Sequence, residues 1–124
     1  MKKSIASLII AAPFLWACAT VVPPPTQRMA DAQSAERSAR ELGADHSPEA
    51  QLSLKLAQDQ IALARTAMTD GDNERATSLL MRANADAELS IAQARESAAK
   101  VEEQKANDAA AKQKTANIAQ GAER

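Results

Sequence analysis

The stretch SPEAQLSLKLAQDQIALARTAMTDGDNE, residues 47–74, decides how this chain folds. Ser47-Pro48-Glu49 is a helix start: a hydroxyl at the N-cap, proline at the first helical position, an acid in the first turn. From there Ala50, Leu54, Ala57, Ile61, Ala64 and Met68 recur at steps of three and four, which marks one apolar face. Leu52, Leu56, Leu63 and Ala67 form a second stripe, more than a right angle round the axis at about 100° per residue. Two stripes predict a helix that touches two neighbours, and hence the central helix of the body. Thr69-Asp70-Gly71-Asp72-Asn73-Glu74 then turns the chain sharply. Gly71 can take the left-handed conformation that closes one helix, and Asp72 can cap the next. A connection this short makes the two flanking helices antiparallel neighbours.

Downstream of the turn, a third helix starts near Asn73 and meets no breaker until Gly121. Its seam is Ala76, Leu80, Ala83, Ala87, Ser90, Ala94, Ser97 and Val101, with Leu79 and Ile91 beside it. Past Val101 the apolar pattern thins to Ala111, Thr115 and Ile118 among Lys, Glu, Gln and Asp. This distal half outruns any partner the second helix offers. Upstream, Thr26 is the expected N-cap of a first helix whose face is Met29, Ala32, Ala35, Ala39 and Leu42. Gly43 is its expected C′ residue. His46, in the loop that follows, is a lone histidine without a carboxylate or cysteine partner and reads as a solvated side chain. The expected fold is therefore all-α: a three-helix antiparallel body with a long third helix.

The N-terminal quarter has a different character. Met1-Lys2-Lys3 is followed by an apolar run from Ile5 to Leu15, the two parts of a secretory signal. Leu15-Trp16-Ala17-Cys18 ends it. An aliphatic residue, then a small residue, then a lone cysteine is the pattern for signal cleavage between Ala17 and Cys18 with lipid attachment at Cys18. Trp16 stands where a small residue is usual. Two rivals share the stretch: Ala17-Cys18-Ala19 is also an A-x-A cleavage box, and Ser4–Val22 is nearly long enough for an uncleaved anchor. Residue 19 is alanine rather than the aspartate that retains lipoproteins at the inner membrane, which points to the outer membrane, body facing the periplasm. Val21-Val22-Pro23-Pro24-Pro25-Thr26 reads as a short extended stalk. The expected organisation is signal 1–17, lipid-attachment cysteine and proline linker 18–26, alanine-rich helical domain 27–105, and charged helical extension 106–124.

Composition sets limits on function. Of 15 basic groups, Lys2 and Lys3 lie before Cys18, which leaves 13 against 16 acids, a weakly acidic body with no footprint for nucleic acid. Tyrosine is absent, and Phe14 and Trp16 both precede Cys18. The body therefore has neither base-stacking platforms nor aromatic anchors for a tight interface. Roughly a quarter of the chain is alanine, the strongest helix former, whose burial gains little. One cysteine gives no internal disulfide and no cysteine zinc site. No glycine-rich phosphate loop and no cluster of ligating or nucleophilic residues appears, so neither a cofactor nor an enzyme activity is expected.

From about Gln27 to Lys105 the chain resembles the domain of unknown function 4398 family of bacterial envelope lipoproteins. The resemblance rests on Ser47-Pro48-Glu49; on Leu54, Ala57, Ile61 and Ala64; on Gly71-Asp72; and on Ala76, Leu79, Leu80, Ala83 and Asp86-Ala87-Glu88-Leu89. It implies a helical envelope module and no known chemistry. Some members resemble tethers with a peptidoglycan-binding domain behind them; here residues 106–124 show no such domain, so peptidoglycan binding is unsupported, and the terminal Arg124 does not match the lysine of a covalently wall-linked lipoprotein. The expected role is a non-catalytic structural or protein-interaction module, held to the membrane by its N-terminal lipid, with other envelope proteins or further copies of itself as partners. The alternative is a self-associating, chaperone-like scaffold that binds helices. The second and third helices, joined at Gly71-Asp72, look somewhat like one tetratricopeptide hairpin, but a solenoid needs about three repeats.

Overall fold

The computed structural model describes residues 22–122. Three helices account for nearly all of them: α1 (Thr26–Glu41), α2 (Pro48–Thr69) and α3 (Asn73–Ala122). A short 3-10 turn, Ala44–His46, joins α1 to α2. The chain runs up, down and up, so α1 and α3 are parallel and α2 is antiparallel to both. The predicted all-α body with a long third helix is what the chain forms.

Local chemistry places the ends. Gly43 and Gly71 are the only described residues with positive φ, at 85° and 79°. At the second turn, the Gly71 N–H donates to the Met68 carbonyl (3.2 Å) and the Asp72 N–H to the Ala67 carbonyl (2.8 Å). That pair of bonds is the Schellman closure, which satisfies two of the last carbonyls of α2. Asp72 caps α3: its Oδ1 accepts from the Arg75 N–H at 3.1 Å. Two expected caps differ. Thr26 is already helical, and the position before it is Pro25, which brings no capping side chain. Ser47 does hold the extended N-cap geometry of α2, and its carbonyl accepts from the Gln51 N–H at 2.8 Å. Its hydroxyl instead donates to the Glu49 carboxylate at 3.3 Å. Gly121 does not stop α3, which continues through it to Ala122; alone near a helix end, a glycine costs only about 1 kcal/mol.

The core is alanine. Ala32, Ala39, Ala44, Ala50, Ala57, Ala64, Ala76, Ala83 and Ala87 are fully buried, and the large buried residues are Leu54, Ile61 and Leu80. One cluster gathers Ala32, Ile61, Ala64, Leu80 and Ala83, with Met29 and Leu79 packed on it. A second gathers Ala39, Ala44, Ala50, Leu54 and Ala94, with Ile91 against it. Between the two, in sequence, lie Ala57, Ala87 and Ser90. Ser90 is fully buried, and its Oγ donates to the Ala50 carbonyl of α2 at 2.7 Å. Helices that present only methyl groups must approach closely to make contact at all.

Two expectations about the core are corrected. The central helix is α3, which packs along both α1 and α2, while α1 and α2 touch far less. And the second stripe of α2 is not packed among the described residues: Leu52, Leu56 and Leu63 are 63%, 45% and 51% exposed, and only Ala67 of that stripe is buried. The first stripe packs as predicted, with Met68 half-buried at its end. The α3 seam is buried from Ala76 to Ala94, then fades through a half-buried Ser97 to Val101, which is 50% exposed.

Three substitutions test this account by denaturant unfolding. Leu54→Ala is expected to lower stability by about 2–5 kcal/mol through the cavity it leaves. Ala87→Leu overfills the close seam and should cost about 1–3 kcal/mol. Gly71→Ala meets no atom within 4 Å, so its loss should be the backbone cost alone, about 1–2 kcal/mol.

Candidate functional site

The residues with functional promise lie at the two ends of the molecule. Ala17 and Cys18 fall outside the described residues. The stalk that follows them is described from Val22. Its carbonyl accepts from Asn73 Nδ2 at 2.8 Å. Asn73 is the first residue of α3, directly after the Gly71-Asp72 turn, so the stalk is fastened to that end of the body. Farther along, the Thr26 N–H donates to the Pro24 carbonyl (2.9 Å) and the Met29 N–H to the Pro25 carbonyl (3.0 Å). Proline thus leads directly into α1: the Pro24 carbonyl closes a three-residue turn and the Pro25 carbonyl accepts the first helical bond.

The far end is the extension. Helix α3 has 50 residues and α2 has 22; at about 1.5 Å per residue these span roughly 75 Å and 33 Å. From Ala98 to Ala122 every residue is exposed. Val101 and Ile118 are the large apolar side chains on this stretch, at 50% and 64% exposure. The helix is held by its own alanines and by side-chain pairs one turn apart. Glu96 bonds Lys100 at 2.7 Å and Glu102 bonds Lys105 at 2.8 Å. Each acid precedes its base along the chain, the favourable order for a helix.

Between the ends, polar side chains stitch the helices. Ser53 Oγ donates to Gln93 Oε1 (2.8 Å) and Gln60 Nε2 to Asp86 Oδ2 (2.6 Å), both across α2 and α3. Gln58 Nε2 donates to Glu36 Oε1 (3.0 Å), between α2 and α1. A shallow cleft near the start of α2 is lined by Ser47, Glu49, Gln93, Glu96, Ser97 and Lys100. Its Lys100 ammonium pairs with Glu96, and its Glu49 carboxylate accepts from the Ser47 hydroxyl. The Lys100 ammonium, by hydrogen bond first and charge second, holds the Glu96 carboxyl below the usual carboxylate range; Glu96 raises Lys100 in return.

The helix-turn residues Gly43, Ser47, Pro48, Gly71 and Asp72 are all at helix ends, where they shape the fold rather than gather at one place. His46 is exposed on the 3-10 turn. Among the described residues, no group of three or more His, Cys, Asp or Glu is placed to hold a metal ion, and no helix is long and apolar enough to cross a membrane. The Asn73–Val22 bond and the Ser53–Gln93 and Gln60–Asp86 pairs escape sequence reasoning, because each joins residues tens of positions apart with no periodic signal. Ser90 was visible as a seam position, though not as a donor to α2.

Residues 27–120 match the family described as Domain of unknown function (DUF4398). The match covers most of the chain and runs well into the extension, and the protein belongs to this family. No curated protein and no solved structure matches the chain.

The Glu96–Lys100 pair gives a measurable sign. Glu96 is depressed in the folded helix, so its contribution is present above the ordinary carboxylate pKa and fades as pH falls through its lowered value. Lys100 is raised, so its contribution is present below the ordinary lysine pKa and fades as pH rises through its elevated value. Lys100→Met should return the Glu96 titration, followed by carboxyl-carbon NMR, to the usual range. Added salt should move the wild-type titration the same way, since both side chains are exposed.

Proposed function

We propose that this protein is an outer-membrane lipoprotein, anchored through Cys18, whose helical body faces the periplasm and works by contact as a structural or protein-interaction module without catalysis. One observation carries the reading: the stalk is fastened at Asn73 to one end of the body, and the exposed extension of α3 leaves from the other. A chain anchored before Val22 would therefore carry the tip of α3 up to roughly 75 Å from the anchored turn. The Lys2-Lys3 start, the apolar run and the Ala17-Cys18 seam support export and acylation. A diacyl group with an N-acyl chain exceeds the two lipid signals that stable anchoring takes.

Membership of the family is consistent with an envelope role and assigns no reaction. The charged side chains of α3 bond one another at helical spacing, which suits a solvated rod better than a reaction centre. The second reading, a self-associating scaffold, is favoured by the leucines of α2 that no part of the described chain covers.

Metabolic labelling with a fatty-acid analogue tests the anchor. The wild-type chain should take up label and Cys18→Ser should not; an unlabelled wild-type chain overturns the lipoprotein reading. A stop codon after Lys105 tests the extension. The shortened chain should stay folded, because the buried core ends at Ala94, yet lose the envelope contacts made by the full chain in cells.

A further inference from the structure

Helix α2 shows Leu52, Leu56 and Leu63 to solvent within about 40° of arc at 100° per residue. The side of α2 that meets α1 is elsewhere: Gln58, bonded to Glu36 of α1, is about 140° away from the centre of this stripe. Leu89 of α3, 49% exposed, extends the open side, since it lies three residues from Asp86 and four from Gln93, which bond across to α2. The body thus has one covered side and one bare apolar side. We infer that the bare side, centred on Leu52, Leu56 and Leu63, is where a second copy of this chain docks, with the two α2 helices antiparallel about a two-fold axis. The inference rests on the reading of the body as a contact module and names the surface and the partner.

The charges on the stripe select this partner and this direction. Lys55 and Asp59 edge the leucines one turn apart and bond each other in the single chain. With the axis beside positions 57 and 58, Leu52 meets the partner's Leu63, and Leu63 meets the partner's Leu52. Lys55 then lies beside the partner's Asp59, twice over by symmetry. The face is complementary to itself, as a two-fold contact requires. In a parallel pairing the Lys55–Asp59 edges of the two helices would lie on opposite flanks of the contact, and neither charge would gain an opposite partner from the second copy. Size sets the strength. A helix face about 33 Å long and 10 Å wide is smaller than the roughly 800 Å² per partner of a standard interface. The pair is therefore a weak one, populated where copies are concentrated, as they would be on a shared membrane surface.

The test uses the full chain in the cells that make it. A photoreactive benzophenone amino acid replaces Leu63, and irradiated material is sized and mapped by mass spectrometry. An adduct of twice the chain mass, with the link near Leu52 of the second copy, is expected. Lys55→Glu alone and Asp59→Lys alone should each lower its yield roughly fivefold or more, because both cross-pairs become repulsive. Co-expressing the two variants under different tags should restore it as a mixed pair, in which every cross-pair is again opposite in sign. Lys55 and Asp59 are both more than half exposed, so the variants keep the fold. A link only to some other protein, no double-mass adduct, or one indifferent to the charge changes overturns the inference. Fatty-acid labelling of the same samples reads the anchor separately, so failure of the pairing is distinguishable from failure of the envelope reading.

Discussion

The whole structure depends on how closely its helices can approach. A core of alanines offers one methyl group per position, and such a core stabilises only if the backbones come near enough for those methyls to meet. The seam of α3 is built to that requirement: Ala76, Ala83, Ala87, Ser90 and Ala94 are all buried, with Leu80 as the one large side chain among them. Close approach also lets a side chain reach a neighbouring backbone. Ser90 uses it, donating from α3 to the Ala50 carbonyl near the start of α2. A buried hydroxyl left unbonded there would cost about 1–3 kcal/mol, so the bond ties the register of the two helices to their spacing.

The same constraint explains which part of the fold was legible in the sequence. Helix ends followed from residues with fixed local chemistry: Gly71 at φ 79°, Gly43 at φ 85°, Asp72 capping α3. The α3 seam followed from its period. What the sequence could not rank was which helix stands in the middle. The two stripes of α2 suggest two neighbours and so a central place for that helix. A stripe shows only that a face is apolar. Contact is decided by fit, and the alanine seam of α3 can meet α1 on one flank and α2 on the other, while Leu52, Leu56 and Leu63 would hold a neighbouring backbone away. The interior takes Leu54, Ile61 and Leu80, and Leu52, Leu56 and Leu63 lie outside it.

The candidate site divides along the same line. Its chemistry, a cysteine at the end of an apolar run, is a linear pattern and was readable as one. Its geometry was not. That the stalk is fastened beside the α2–α3 turn depends on an amide from Asn73 reaching the Val22 carbonyl, fifty-one positions earlier. No periodicity announces such a bond. Yet it decides that the extension leaves from the end opposite the stalk.

These facts bear on one another through the number of helices. Three helices of this kind cover one side of the α2–α3 hairpin and leave the other bare. Among the described residues no fourth helix covers it; those after α2 could have supplied one by turning back near Val101, where the seam fades. Instead they continue straight as an exposed rod, held by its alanines and by pairs such as Glu102–Lys105. Length along the axis is gained and a leucine face is left without cover. Those two outcomes give the described body two separate surfaces: an exposed polar rod, and a short apolar face edged by Lys55 and Asp59.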